Sequence, residues 1–107
     1  MQRLTIVRYK VKPECVDENE RLSHAVFDRV RRDRPRGIDY SLFKEADGQS
    51  FVHVFRNQIE DDSDVLTELP EFKAFSATIS ARCDIPPEVT RLSVDPVDAY
   101  GSATAEV

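Results

Sequence analysis

The chain has no tryptophan, three glycines, two cysteines, two histidines and one methionine in 107 residues. Each shortage removes a class of chemistry. Three scattered glycines cannot build a phosphate-cradling loop, and no GxSxG elbow is present, so nucleotide binding of that kind and serine hydrolysis are not expected. Cys15 and Cys83 stand far apart in sequence and form no metal-ligand spacing. His24 and His53 have no third ligand at zinc spacing, so a structural or catalytic zinc is not expected, and no cofactor is read from the sequence. No apolar run approaches the roughly 18 residues of a membrane span. MQRLTIVRYKV carries charges inside its apolar stretch and lacks a cleavage signature, which points away from a signal peptide and to the cytoplasm as the default location.

Charge is plentiful but unbalanced. The formal net charge is −5, which argues against nucleic acid as a partner, because phosphate binding needs clustered cations. Arg29, Arg31, Arg32, Arg34 and Arg36 form the one basic cluster, and it is read as a helix C-terminus, where cations offset the negative end of the dipole. Hydrophobic residues make up 40% and charged residues 33% of the chain, the balance of one soluble globular domain. That domain is expected over residues 1–100, with a flexible tail over 101–107.

Leu4 to Lys12 alternates. Thr5, Val7, Tyr9 and Val11 share one face and Leu4, Ile6, Arg8 and Lys10 the other, as in a strand with unlike sides. Asp17 and Glu20 have capping-box spacing before an apolar stripe of Leu22, Ala25, Val26 and Val30. The helix should end before Pro35, with Gly37 in the turn out. Ile38 to Lys44 and Phe51 to Asn57 read as strands joined through the Asp47-Gly48 turn. An acidic connection, Glu60 to Asp64, follows, with a short helical turn over Val65 to Leu69. Phe72, Phe75, Ile79 and Cys83 recur at helical spacing and predict one helix over Pro70 to Arg82. Ile85-Pro86-Pro87 should break it, and Val89 to Asp95 should form the last strand.

The order β-α-β-β-α-β is the ferredoxin-like arrangement: an α+β domain with a four-stranded antiparallel sheet and two helices on one face. The third strand is apolar on both sides, with Phe51 and Phe55 on one and Val52 and Val54 on the other. A strand of that kind is buried on both sides. The second face therefore asks for cover, and a second copy of the same sheet supplies it, giving a homodimer.

VRYKVKPE, SFVHVFRNQ and LTELPEFKAFSATISAR, taken with this order, resemble the dimeric α/β-barrel superfamily and its antibiotic-biosynthesis-monooxygenase-like group. The resemblance spans roughly residues 4–100. It implies a dimeric α/β barrel and a chemistry within a group that includes cofactor-independent monooxygenases of aromatic metabolites or quinols, haem-degrading enzymes and cyclases. The haem-degrading pattern places Asn, Trp and His at positions that fall here on Val7, Leu66 and Ser76, so haem degradation is not implied. The polyketide-oxidising members use Asn, Trp, Tyr and Arg around the substrate. This chain offers Asn57, Tyr9, Tyr40 and Arg82 of those types.

His53 is the leading catalytic candidate. It stands among Phe51, Val52, Val54 and Phe55, where desolvation keeps an imidazole neutral and able to accept a proton from a phenol or enol. Asn57 can hold an oxyanion or a hydroperoxide oxygen. Tyr9 and Tyr40 can line a pocket and offer hydroxyls to a small apolar or aromatic ligand. Two functions stay open on these residues: a cofactor-independent monooxygenase-like enzyme, or a non-catalytic dimeric module for ligand binding or assembly.

Overall fold

The computed structural model describes residues 3–57, 66–92, 97, 98 and 100. The acidic connection from Glu60 to Asp64, the end of the expected last strand and the 101–107 tail lie outside them. Four strands form the sheet: β1 (Arg3–Val11), β2 (Ile38–Lys44), β3 (Ser50–Asn57) and β4 (Cys83–Leu92). Helix α1 (Val16–Asp33) follows β1, and α2 (Pro70–Ala77) and α3 (Ile79–Arg82) precede β4. The strand order is β2-β3-β1-β4, and all pairs are antiparallel. This is the expected α+β, ferredoxin-like βαββαβ arrangement.

Alternation decides the faces. The odd residues of β1 and β3 face the helices, and Tyr9, Val11, Phe51 and Phe55 are buried there with Val26 of α1 and Phe75 of α2. On the other face, Leu4, Ile6, Val52 and Val54 are only half-buried, while Phe43 and Ile85 are each 56% exposed. The third strand is thus apolar on both sides, as its sequence requires.

Three local expectations are corrected. No capping box forms: a 3-10 turn over Pro13–Cys15 feeds α1, whose N-cap is Cys15 without a side-chain bond. Asp17 sits inside the first turn, and Glu20 instead pairs with Lys44 at 2.8 Å. The buried stripe of α1 also differs, because Asn19, Ser23 and Val26 are enclosed and Ala25 is exposed. The far end behaves as expected. The helix stops at Asp33, and Arg34 takes the left-handed conformation with its N–H on the Val30 carbonyl.

The second long helix is broken. Thr78 leaves the helical region at φ −118°, ψ 9°, and separates α2 from α3. Arg82 explains the break: its guanidinium donates to the Phe75 carbonyl at 3.1 Å and to Thr78 Oγ1 at 2.6 Å. A side chain inserted into the helical ladder is a recognised cause of a kink. Cys83 is accordingly the first residue of β4 and not part of a helix.

The strand then begins six residues earlier than Val89. Pro86 and Pro87 lie inside it, where β4 is an edge strand and its pairing with β1 shifts register between Arg8 and Lys10. Proline is tolerated at such edges and irregularities because a missing N–H costs little there.

Phe75 is the aromatic centre of the helix-to-sheet contact. It is 5% exposed, meets the rings of Tyr9 and His53 edge-on, and carries Arg82 over its face at 4.8 Å. Phe75→Ala should destabilise the chain by roughly 3–5 kcal/mol, the usual cost of emptying a core aromatic position. Urea denaturation measures it, and a loss below about 1 kcal/mol would remove Phe75 from the core.

Candidate functional site

A pocket of about 480 Å³ opens between the helix-facing side of the sheet and α2. Val7, Phe55, Leu66, Phe72, Phe75 and Ile79 make its apolar wall. Tyr9, Tyr40, His53 and Asn57 belong to its lining, as do Arg3 and Arg91. All four expected site residues therefore converge on one cavity. Its size falls within the roughly 300–1,000 Å³ of small-molecule sites. Val7, Leu66 and Ser76, the positions of the haem-degrading pattern, also line it.

Sheet register explains why the polar groups meet. His53 stands opposite Val7 on β1 and Leu42 on β2, so Tyr9 and Tyr40 are its diagonal neighbours on the same face. Long aromatic side chains span such diagonals. The Tyr9 hydroxyl lies 2.7 Å from His53 Nε2, and the Tyr40 hydroxyl lies 2.7 Å from His53 Nδ1. Phe27 of α1 stacks on Tyr40 at 4.3 Å and 6°, which fixes the ring from behind.

The network continues beyond the pocket into the core. Asn19 Nδ2 donates to the Tyr9 hydroxyl at 3.0 Å, and Arg82 Nε donates to Asn19 Oδ1 at 3.1 Å. Ser23 donates to the Asn19 carbonyl at 2.7 Å. Among the described residues the hydrogen-bond partners of the buried Arg82 side chain are all neutral. Arg82 was among the candidate residue types, whereas Asn19 and Ser23 were not singled out. Their signal was present in the sequence: Asn19, Ser23, Val26 and Val30 follow helical spacing and place two polar residues on a stripe that turns to the core.

Burial sets the ionisation states. His53 is 7% exposed and its pKa is lowered from 6.5 to about 4, entirely through desolvation. Burial pushes the Tyr9 hydroxyl up to about 12, the Asn19 bond opposing it. Burial raises the Tyr40 hydroxyl further, with the Tyr9 charge adding to the effect. At neutral pH the site is therefore an uncharged Tyr-His-Tyr ladder. Both ring nitrogens of His53 are engaged by tyrosine hydroxyls, which leaves neither open to the pocket. Asn57 ends β3 and is 1% exposed on the pocket side.

The Arg29–Arg36 cluster takes no part in the pocket. Arg29 pairs with Asp33 at 2.8 Å and with Glu71 at 3.5 Å, and Arg31 pairs with Asp28 at 3.1 Å. His24 is exposed on α1. Among the described residues no helix is long and apolar enough to cross a membrane.

Solved structures share this architecture closely. A Mycobacterium tuberculosis protein superposes with a TM-score of 0.74 over 92% of this chain and 100% of its own, at 22% identity. An antibiotic biosynthesis monooxygenase gives 0.69 over 90% and 100%, at 20% identity. The chain shares its fold with antibiotic-biosynthesis-monooxygenase-like proteins. SnoaB, a cofactor-independent oxygenase from Streptomyces nogalater, shares this monooxygenase-like fold with a TM-score of 0.66 over 90% of this chain and 95% of its own, at 16% identity. No family model matches the chain, and no curated protein matches its sequence.

The neutral burial of His53 has a measurable consequence. Between pH 6.5 and about 4 the unfolded chain holds the His53 proton and the folded chain does not, so folding stability rises with pH across that window. The contribution is fully present above pH 6.5 and is lost as the pH falls through 4. At about 1.4 kcal/mol per unit it amounts to about 3 kcal/mol. Histidine-detected NMR titration should return a His53 pKa near 4. A value at or above 6.5 would mean that the ring is solvated or paired with a carboxylate.

Proposed function

We propose that this chain binds a planar, oxygen-bearing aromatic metabolite in the pocket between sheet and α2 and acts on it as a monooxygenase-like enzyme without a bound cofactor. The observation that carries this reading is the apolar cavity of about 480 Å³ holding an uncharged Tyr9–His53–Tyr40 ladder. The shared fold with a cofactor-independent oxygenase supports it. In this reading Tyr9 and Tyr40 line the polar end of the pocket, and Tyr40 holds the ligand oxygen. His53 exchanges protons with it through the Tyr40 hydroxyl, and Asn57 hydrogen-bonds the oxygen that arrives from dioxygen.

The chemistry needs only the substrate and dioxygen. Hydrogen bonds to the ligand oxygen stabilise the enolate form of a ring ketone. The enolate carbon reduces dioxygen to a carbon-bound hydroperoxide, which then loses water. Overall, a ring methylene and one O2 become a carbonyl and one H2O. The test is oxygen uptake with an anthrone-type ketone, in the presence of chelator and without added flavin. One O2 should be consumed per carbonyl formed. His53→Gln, which keeps polar contacts but removes proton exchange, should lower the rate by about 10²–10⁴-fold. Binding without oxygen uptake would leave the ligand-binding module as the function, a reading favoured by the engagement of both His53 nitrogens.

We further propose that two copies associate through the outer sheet face, where Leu4, Ile6, Val52 and Val54 lie beside the exposed Phe43 and Ile85. The interface should bury more than about 1,000 Å² in total. Light scattering at micromolar concentration should give twice the chain mass. Val54→Glu, which places a charge in the middle of that face, should yield monomers. A wild-type monomer at this concentration would refute the assembly.

A further inference from the structure

The hydrogen-bond chain around His53 has a direction, and the direction starts at Arg82. A guanidinium only donates. Arg82 Nε lies 3.1 Å from Asn19 Oδ1, so the Asn19 oxygen faces Arg82 and the Asn19 amide nitrogen faces Tyr9 at 3.0 Å. The Tyr9 oxygen therefore accepts from Asn19, and the nearest acceptor for its single proton is His53 Nε2 at 2.7 Å. Nε2 is then bare. A neutral imidazole with a bare Nε2 carries its proton on Nδ1. Nδ1–H donates to the Tyr40 hydroxyl, 2.7 Å away. Tyr40 has one proton left, no second hydrogen-bond partner among the described residues, and a place in the pocket lining. Ser23, the remaining hydroxyl near Tyr9, directs its own proton to the Asn19 carbonyl.

We propose that Tyr40 is the residue that presents a hydroxyl proton to the pocket and meets the acceptor oxygen of the ligand, and that Arg82 sets this direction through Asn19, Tyr9 and His53. The inference rests on the pocket binding an aromatic ligand, as proposed above. It adds which hydroxyl meets the ligand oxygen and what fixes its direction. Arg82 and Asn19 are positioning residues, since neither lines the cavity.

Two measurements test it. The first uses the ligand-free protein: nitrogen-15 NMR of the histidine rings should show His53 as the Nδ1–H tautomer. Asn19→Asp should reverse the chain, because a carboxylate accepts from both Arg82 and Tyr9. Tyr9 then accepts from Nε2–H, His53 changes to the Nε2–H tautomer, and the Tyr40 proton turns inward to Nδ1. The second measurement uses a matched probe pair, 9-fluorenone and fluorene, whose binding is followed by ligand-observed NMR. The ketone should bind about 2- to 10-fold more tightly, the value of one net hydrogen bond. Both Asn19→Asp and Tyr40→Phe should bring the ratio to about one. Tyr40→Phe keeps the ring on Phe27, so it answers the question even if Asn19→Asp does not fold.

An Nε2–H tautomer in the wild type, or an unchanged tautomer in Asn19→Asp, would overturn the chain. Equal affinity for the two probes in the wild type would overturn the assignment to Tyr40. Binding of neither probe, beside a confirmed Nδ1–H tautomer, would overturn the pocket reading while the internal polarity stands.

Discussion

A buried guanidinium whose hydrogen-bond partners among the described residues are all neutral holds this structure together. Arg82 is 4% exposed, and its charge is met by Asn19 Oδ1, Thr78 Oγ1 and the Phe75 carbonyl, with the Phe75 ring beneath it. Burying a charge is costly unless several good hydrogen bonds and a polarisable neighbour offset the loss of water. Those partners come from α1, from α2 and from the break between α2 and α3. Arg82 also precedes β4 directly, and its own carbonyl accepts from the Lys12 N–H at the end of β1 at 2.8 Å. One residue thus joins the first helix, the second helical segment and the two strands β1 and β4.

The position of the cavity follows from the same residue. By breaking the helix at Thr78, Arg82 separates Phe72 and Phe75 on α2 from Ile79 on α3, and these side chains form the helical wall of the cavity. The sheet supplies the opposite wall and all four of the expected site residues. Their proximity is a matter of register: Val7 opposite His53 places Tyr9 on one diagonal, and Leu42 opposite His53 places Tyr40 on the other. A shift of one residue in either ladder would turn the corresponding tyrosine to the outer face.

The fold was legible because its signals are local. Alternation in β1, the turn at Asp47-Gly48 and the stop before Pro35 each act within a few residues. The elements that sequence reasoning misplaced depend on where side chains return and on the assembled sheet, which residue spacing does not carry. The long helix over Pro70 to Arg82 has sound helical spacing, and only the return of the Arg82 side chain onto Phe75 and Thr78 divides it. Pro86 and Pro87 read as a break because their place on an edge strand is a property of the assembled sheet. In the site, His53, Tyr9, Tyr40 and Asn57 could be named from their surroundings on each strand. Asn19 is harder to see, since a polar residue near a helix start reads as solvent-facing, and only its helical spacing with Val26 and Val30 places it on the buried stripe.

The two prolines of β4 bear on how the sheet meets other chains. An exposed edge strand is a template for another strand through its outward N–H and C=O groups. Consecutive residues of a strand point their N–H groups to opposite sides, so Pro86 and Pro87 together remove one outward donor along with one inward one, beside the register shift against β1. The β4 edge is thereby a poor place for edge-to-edge growth, which leaves β2 as the sheet border with an uninterrupted row of donors. Protection against amyloid-like stacking in this small domain is therefore one-sided, and a fragment that frees the β2 edge is where unwanted strand addition would begin.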